Sequence, residues 1–256
     1  MIALLASVRD QPEAREAAAA GADLIDLKDP SAGALGALGL PEIAAIAADI
    51  RRQWPQRPLS ATIGDFDPRD HGGRCAMAQA VAACGVDYVK VGVAPGAQAA
   101  TALRCLVELG LPSLVIVFLA DRGIDLALAE QAAALNFAGL MVDTADKSTG
   151  SLLRQVPPQA LQAFVALARR HGRLCGIAGS LREDDVPMLR QLAPDYAGFR
   201  GALCAGDRRG RLDPTRLRRL RALLHADGQV PAGGEAPASS SPRSRGDSVF
   251  ESRTIE

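Results

Sequence analysis

The stretch ADLIDLKDPSAGALGALGLPEIAAIAADI (22–50) contains one complete strand–loop–helix unit. Its first part, ADLIDLK (22–28), is a short and mostly apolar run that is typical of a buried strand. A loop rich in Gly and Pro follows, and Pro41 then opens a segment rich in Ala and Ile, because proline is favoured in the first turn of a helix. Strands that alternate with helices in this way predict a parallel sheet.

The same unit recurs along almost the whole chain. Eight strand–helix pairs fit a closed (β/α)8 barrel, the TIM barrel, better than an open doubly wound sheet. No GxGxxG motif follows the first strand, which also counts against a dinucleotide-binding sheet. We therefore predict one α/β domain, a (β/α)8 TIM barrel, over residues 1–224. The predicted strands are IALLASV (2–8), ADLIDLK (22–28), PLSATIG (58–64), VDYVKVGV (86–93), SLVIVFLA (113–120), AGLMVDT (138–144), RLCGIAG (173–179) and DYAGFRG (195–201).

The composition of the chain changes near its end. Residues 225–256 are rich in Gly, Pro and Ser and poor in large apolar residues. Such a segment has too little apolar surface to form a packed core. The sequence predicts a disordered tail there, with no catalytic part.

Charge and cysteine content exclude several classes of protein. The formal net charge of zero argues against a general nucleic-acid binder or a basic membrane-surface protein. The sequence has no apolar run of about 18 residues that would span a bilayer, and its start lacks the pattern of a signal peptide. Five scattered cysteines with no CxxC motif indicate neither a disulfide framework nor a zinc site. We expect a cytoplasmic protein.

The three lysines of the chain are its most informative residues, because the other basic residues among the 29 are all arginine. Arginine can replace lysine where only positive charge is needed, whereas an amine that must lose its proton or form an imine cannot be a guanidinium. Lys28 ends the second strand, Lys90 lies late in the fourth, and Lys147 follows the sixth. Side chains from alternate strands share layers at the active-site end of such a barrel. We predict that the three amines converge on one cavity.

Two aspartates accompany these lysines. Asp26 lies two residues before Lys28 on the same face of its strand, and Asp143 lies four residues before Lys147. A carboxylate in reach can hold an ammonium group or transfer a proton once the amine is neutral. Partly desolvated amines near other cations become nucleophiles, so the pattern points to Schiff-base chemistry on a carbonyl substrate.

Phosphate binding is predicted for the loops after the seventh and eighth strands, where barrels of this class often hold phosphate. Gly179 and Ser180 would offer backbone N–H groups, and Arg200 would add a forked donor. Gly201, which has no side chain, would let the phosphate come close to the backbone. The segment SLREDD (180–185) also predicts a helix start with Ser180 as its N-cap.

These segments together resemble the (5-formylfuran-3-yl)methyl phosphate synthase family, also called the 4-(hydroxymethyl)-2-furancarboxaldehyde phosphate synthase family. The resemblance covers about residues 1–224. LIDLKDP and DTADK are its specific motifs, whereas the phosphate loops are generic. The similar stretches are LLASVRD, GADLIDLKDPSAGALGA, VDYVKVGV, MVDTADK, GIAGSL and GFRGALC.

The resemblance implies an aldolase-like lyase of methanofuran biosynthesis. Two molecules of glyceraldehyde 3-phosphate would condense, one of them as its dihydroxyacetone phosphate isomer, with loss of phosphate and water. By motif, Lys28 is similar to the Schiff-base lysine and Lys90 to the proton acceptor, while Asp26, Asp143 and Lys147 match the remaining catalytic residues. We expect the amine chemistry to need neither a metal nor an organic cofactor.

Alternatives from two classes stay open at this point. One is another class I aldolase or a sugar-phosphate isomerase with the same barrel, and the other is a non-catalytic protein that binds phosphorylated metabolites. The expected partner is a small molecule in each case. Barrels of this class often associate, so a homo-oligomer also stays open.

Overall fold

The chain folds into a closed barrel of parallel strands. The computed structural model describes residues 1–226. Its strands are β1 (Ala3–Val8), β2 (Leu24–Leu27), β3 (Leu59–Thr62), β4 (Tyr88–Val93), β5 (Leu114–Leu119), β6 (Gly139–Asp143), β7 (Leu174–Ile177) and β8 (Tyr196–Phe199). Each strand pairs in parallel with the next, and β8 pairs with β1 to close the ring. The predicted (β/α)8 TIM barrel is confirmed.

Helices surround the strands. They are α1 (Gln11–Ala19), α2 (Leu40–Gln53), α3 (His71–Ala82), α4 (Ala99–Val107), α5 (Leu126–Ala134), α6 (Leu152–Gln155), α7 (Pro158–Arg170), α8 (Val186–Leu192) and α9 (Pro214–His225). Two 3₁₀ turns, Glu183–Asp185 and Gly201–Leu203, follow β7 and β8. Among the described helices, none is long and apolar enough to cross a membrane.

Aspartate caps begin four of the helices. The side chains of Asp10, Asp70, Asp125 and Asp213 each accept a hydrogen bond from a backbone N–H in the first turn of α1, α3, α5 and α9. These N–H groups have no partner inside the helix, so an acceptor side chain stabilises the start by roughly 1 kcal/mol. The caps fix the residue at which each of these four helices begins.

The strands separate two hydrophobic layers. On β2, Ile25 and Leu27 are fully buried in the layer shared with the helices, whereas Leu24 packs inside the barrel. Asp26 lies between Ile25 and Leu27 in sequence, so its side chain points to the interior like that of Leu24. This alternation places polar side chains inside the barrel, near the C-terminal ends of the strands.

The prediction that Ser180 caps a helix is wrong. Its backbone has a left-handed φ of 47°, and the helical segment begins only at Glu183. The Ser180 hydroxyl donates to the backbone carbonyl of Lys147 at 3.2 Å, so it joins the loops after β7 and β6.

The last helix runs to His225, one residue past the boundary predicted at 224. The Nε2 atom of His225 lies 2.8 Å from Asp23 Oδ2, at the start of β2. The rest of the predicted tail, 227–256, lies outside the described residues.

Gly176 tests how tightly the interior is packed. A Cβ at this position would overlap the ring of Tyr196 on β8. We expect Gly176→Ala to destabilise the protein by about 1–3 kcal/mol, because overpacking a dense core forces neighbours to move. Gly72, in the first turn of α3, has open space around it, so Gly72→Ala should have no cost or stabilise the helix by up to about 1 kcal/mol. Urea unfolding of both variants measures the difference; equal midpoints would contradict the packing argument.

Candidate active site

A cavity opens at the C-terminal ends of the strands. Its volume is about 640 Å³, which is in the usual range for a small-molecule site. All nine residues predicted for the site line this cavity: Asp26, Lys28, Lys90, Asp143, Lys147, Gly179, Ser180, Arg200 and Gly201. The structure thus brings together residues that are up to 175 positions apart in the sequence, from Asp26 to Gly201.

The three lysines converge as expected from their strands. Lys28 and Lys90 are 7% and 3% exposed, and the Lys147 side chain is 11% exposed. Amines held this far from solvent need nearby acceptors, because an unpaired buried charge is costly. The partners of each amine therefore decide its chemical character.

Lys90 forms a buried ion pair with Asp26, with the Nζ and Oδ1 atoms 2.6 Å apart. Ser7 on β1 donates its hydroxyl to Asp26 Oδ2 at 3.0 Å, and Ser60 on β3 donates to Oδ1 at 2.7 Å. Asp26 and Lys28 do lie at the same end of β2, but the carboxylate holds the amine of β4 instead. Four strands thus contribute to one polar cluster.

Lys147 pairs with Asp143. Its Nζ atom donates to Asp143 Oδ1 and, at 3.3 Å, to the Thr144 hydroxyl. The backbone N–H of Thr144 donates to the same carboxylate oxygen at 2.7 Å. In addition, Asp121 accepts hydrogen bonds from the N–H groups of Ala145 and Asp146 and so holds the loop that carries Lys147.

Lys28 differs from the other two amines. Its Nζ atom donates to the backbone carbonyl of Ala34 at 3.0 Å, and no carboxylate of residues 1–226 accepts a hydrogen bond from it. The Ala34 carbonyl belongs to the loop after β2, where Asp65 accepts from the N–H groups of Ala34 and Leu35. Asp65 therefore fixes the acceptor that orients the Lys28 amine.

Burial and the neighbouring carboxylates have opposite effects on the pKa of Lys90 and Lys147. Burial lowers the pKa of Lys90, and the charge of Asp26 only partly offsets this. Burial also lowers the pKa of Lys147, with Asp143 opposing and Lys28 adding to the fall. At Asp143 burial acts to raise the pKa, but the ammonium groups of Lys147 and Lys28 outweigh it and the pKa is lowered. Asp143 is therefore held ionised, and the amines of Lys90 and Lys147 release a proton more readily than free lysine.

The loop after β7 has the geometry expected of an anion site. Gly179 and Ser180 both have positive φ angles, 109° and 47°. No acceptor among the described residues takes a hydrogen bond from either backbone N–H. A Cβ at Gly179 would lie 2.9 Å from Leu152 Cβ and 3.1 Å from Thr144 Cγ2, so only glycine fits there.

Arg200 lines the cavity, but protein acceptors hold the N–H groups that the sequence analysis expected to bind phosphate. Its Nη1 and Nη2 atoms both donate to the Glu13 carboxylate. The remaining N–H groups donate to the carbonyls of Ser7, Arg208 and Gly210. A guanidinium has five N–H donors, and all five are used. Gly201, the next residue, does lie beside the cavity, where its backbone is open to a ligand.

Arg208 is a cavity residue that the sequence analysis did not single out. It lies in the loop after β8, and its side chain lines the cavity above Gly201. In the sequence it is one arginine of GDRRGRLD (206–213), and nothing there separates it from Arg209. Only the loop conformation shows which of the two arginines faces inward.

The described residues contain no cluster of three or more His, Cys, Asp or Glu side chains that could hold a metal ion. All five cysteines are free.

Sequence comparison relates the chain to one family. Residues 4–221 match the model of a family described as 4-HFC-P synthase. A (5-formylfuran-3-yl)methyl phosphate synthase from Methanosarcina acetivorans is 36% identical over 167 residues, which cover 60% of this chain and 71% of that protein. A protein from Methylorubrum extorquens, which carries a provisional form of the same name, is 40% identical over 215 residues, or 84% of this chain and 88% of that protein.

Comparison with solved structures supports the fold alone, because the sequence identities are low. Phosphoribosyl anthranilate isomerase from Thermus thermophilus superposes with a TM-score of 0.60 at 14% identity, covering 88% of this chain and 98% of that one. Thiamine phosphate pyrophosphorylase from Pyrococcus furiosus gives a TM-score of 0.56 at 15% identity, covering 88% and 97%.

The pair of Glu13 and Arg200 provides a stability prediction. Their side chains are 2% and 8% exposed. We expect Glu13→Gln to destabilise the protein by roughly 3–5 kcal/mol, because it leaves the Arg200 charge buried without its partner. Glu16→Gln, one turn later in α1, removes an ion pair with the exposed Arg211 and should change the stability far less, because water screens an exposed pair. Urea unfolding at neutral pH compares them.

The same comparison has a pH dependence with a defined sign. Burial acts to raise the pKa of Glu13, but Arg200 outweighs it and the pKa is lowered from its ordinary value of 4.5. The stabilisation by ionised Glu13 is therefore present above pH 4.5 and is lost as the pH falls below it. The wild-type advantage over Glu13→Gln should shrink in acid; an advantage that grows would contradict the ion pair.

Proposed function

The chain belongs to the 4-HFC-P synthase family, and on that premise we propose that it forms (5-formylfuran-3-yl)methyl phosphate from two molecules of glyceraldehyde 3-phosphate. One molecule reacts as its dihydroxyacetone phosphate isomer. The atoms balance when one inorganic phosphate and two molecules of water leave for each furan formed. The observation that carries the proposal is the convergence of three amines and two carboxylates in one buried cavity.

Lys28 is assigned as the Schiff-base lysine. An amine that attacks a carbonyl needs a free lone pair, and the other two lysines are hydrogen-bonded or ion-paired to carboxylates. Among residues 1–226, the one acceptor of the Lys28 amine is the neutral carbonyl of Ala34. Condensation with the ketone of dihydroxyacetone phosphate expels water and leaves an iminium, which withdraws electrons and makes the neighbouring C–H acidic.

Lys90 is assigned as the acceptor of that proton. Burial lowers the pKa of its amine, which favours the neutral form that can accept a proton. Asp26 holds the amine in place and stabilises the ammonium group that results. The enamine then forms a carbon–carbon bond to the aldehyde of the second triose phosphate.

Lys147 and Asp143 are assigned to the later steps. Ring closure, dehydration and loss of phosphate each require a proton to be delivered to a leaving oxygen or removed from carbon. A lysine and an ionised aspartate in contact supply an acid and a base at one point of the wall. Gly179, Ser180 and Gly201 are assigned to phosphate binding through their backbone N–H groups. We assign the whole activity to the barrel, 1–224, and none to 225–256.

Borohydride trapping tests the assignment of Lys28. Reduction in the presence of glyceraldehyde 3-phosphate should leave a covalent adduct on Lys28, identified by peptide mass mapping. Lys28→Arg keeps the positive charge but cannot form an imine, so turnover should fall by at least about 1,000-fold. An adduct on Lys147 instead, or a near-normal rate for Lys28→Arg, would rule out this assignment.

Product analysis separates the proposal from its alternatives. The wild-type protein incubated with glyceraldehyde 3-phosphate should produce ultraviolet absorbance of a furan aldehyde and inorganic phosphate in equal amounts. An ordinary aldolase or an isomerase would produce neither, and a binding protein would consume no substrate. Lys28→Arg is the matched control for contaminating activity.

The pH profile tests the pairing of Asp26 with Lys90. Activity should rise with pH as Lys90 loses its proton, with a midpoint below that of free lysine, because burial lowers its pKa. Asp26→Asn removes the charge that stabilises the ammonium group, so we expect the rise to move to lower pH, whatever the loss in maximum rate. Ser7→Ala, which keeps the carboxylate, should leave the midpoint in place. A shift of the Asp26→Asn profile to higher pH would refute the pairing.

A further inference from the structure

The residues predicted to bind phosphate supply no free forked donor. Arg200 donates all five of its N–H groups to protein acceptors, so it cannot bind phosphate without breaking its contacts with Glu13 and the loop after β8. Gly179, Ser180 and Gly201 offer only backbone N–H groups. Three other arginines line the cavity, and of these Arg182 and Arg216 are exposed, whereas Arg208 is half-buried.

Arg208 is placed to supply such a donor. Its side chain lines the cavity and is half-buried, with its Cβ near Gly201. Among residues 1–226, no acceptor takes a hydrogen bond from its guanidinium, although its backbone carbonyl accepts from Arg200. Burial lowers the pKa of Arg208, and Asp143 on the cavity wall opposes that fall. The N–H donors of the guanidinium are therefore free to bind a ligand.

Backbone and side-chain hydrogen bonds hold the loop that carries Arg208. Cys204 and Leu212 pair as an antiparallel bridge at its base, and Arg200 donates to the carbonyls of Arg208 and Gly210 near its tip. The N–H of Leu212 donates to Glu13. This scaffold turns Arg208 towards the cavity, whereas the neighbouring Arg209 side chain is exposed outside it.

Arg208 lies within electrostatic reach of the Lys147–Asp143 pair. Its charge contributes to the fall in the pKa of Lys147, and Asp143 opposes the fall in the pKa of Arg208. A phosphate monoester carries a charge of about −1.5 to −2 at neutral pH, so the guanidinium would attract it to this part of the cavity.

We propose that Arg208 binds the phosphate group of the triose phosphate through its guanidinium, together with the backbone N–H groups of Gly179 and Ser180, and that the Glu13–Arg200 pair is the positioning device behind it. The proposal rests on the proposed function for the identity of the substrate. Its recognition chemistry, a forked guanidinium on a phosphate monoester, is independent of the steps that follow.

Calorimetric titration with glycerol 3-phosphate tests the proposal. This compound has the phosphate of the substrate but no carbonyl, so its binding needs no imine. We expect Arg208→Gln to weaken binding about 10- to 100-fold, the range for a charge-assisted pair. Arg208→Lys keeps the charge but loses the forked pair of donors, so its affinity should lie between those of the wild type and Arg208→Gln. Arg209→Gln, the adjacent exposed arginine, should bind like the wild type.

Three outcomes would overturn the proposal: no measurable binding to the wild type, unchanged affinity of Arg208→Gln, or equal weakening by Arg208→Gln and Arg209→Gln, which indicates only long-range attraction. Circular dichroism melts show whether each variant is folded. The furan assay is done separately on the wild type. If the wild type forms no furan but Arg208→Gln still binds glycerol 3-phosphate more weakly, the proposed function is wrong and the assignment of Arg208 to phosphate binding is kept. If the wild type forms the furan but Arg208→Gln binds like the wild type, only the assignment of Arg208 is rejected.

Discussion

Burying three amines side by side is the constraint on which this barrel depends. Each ammonium group taken from water costs several kcal/mol unless it is paired. Asp26 and Asp143 offset that cost for Lys90 and Lys147, whereas the acceptor of Lys28 in the described part of the chain is the backbone carbonyl of Ala34. The three amines thus have unequal partners, and unequal surroundings are how proteins generally separate nucleophile, acid and base.

Acidic residues outside the amine cluster hold the loops that carry it. Asp65 fixes the loop after β2, Asp121 the loop after β6, and Glu13 with Arg200 the loop after β8. In each case a carboxylate accepts from backbone N–H groups or from an arginine that in turn holds the loop. Reacting groups that are held in place before substrate arrives lower the entropic cost of the reaction.

The barrel and the convergence of the lysines could both be inferred from local patterns. Short apolar runs, helix-starting prolines and aspartates, and loops rich in glycine are local signals, and a closed barrel is the arrangement that eight such units adopt. Topology then brings the ends of the even strands together, so Lys28 and Lys90 had to be neighbours. The helix start predicted at Ser180 failed because a contact with Lys147, 33 residues earlier, determines its conformation.

The sequence by itself therefore determined the architecture and which residues meet, since period and order along the chain are enough to place side chains on faces and strand ends. Only the tertiary structure decided which of them pair. Asp26 holds Lys90 rather than its near neighbour Lys28, and Arg200 turns to Glu13 while Arg208 faces the cavity. Such choices depend on distances of a few ångströms between residues far apart in the chain, and no local pattern encodes them.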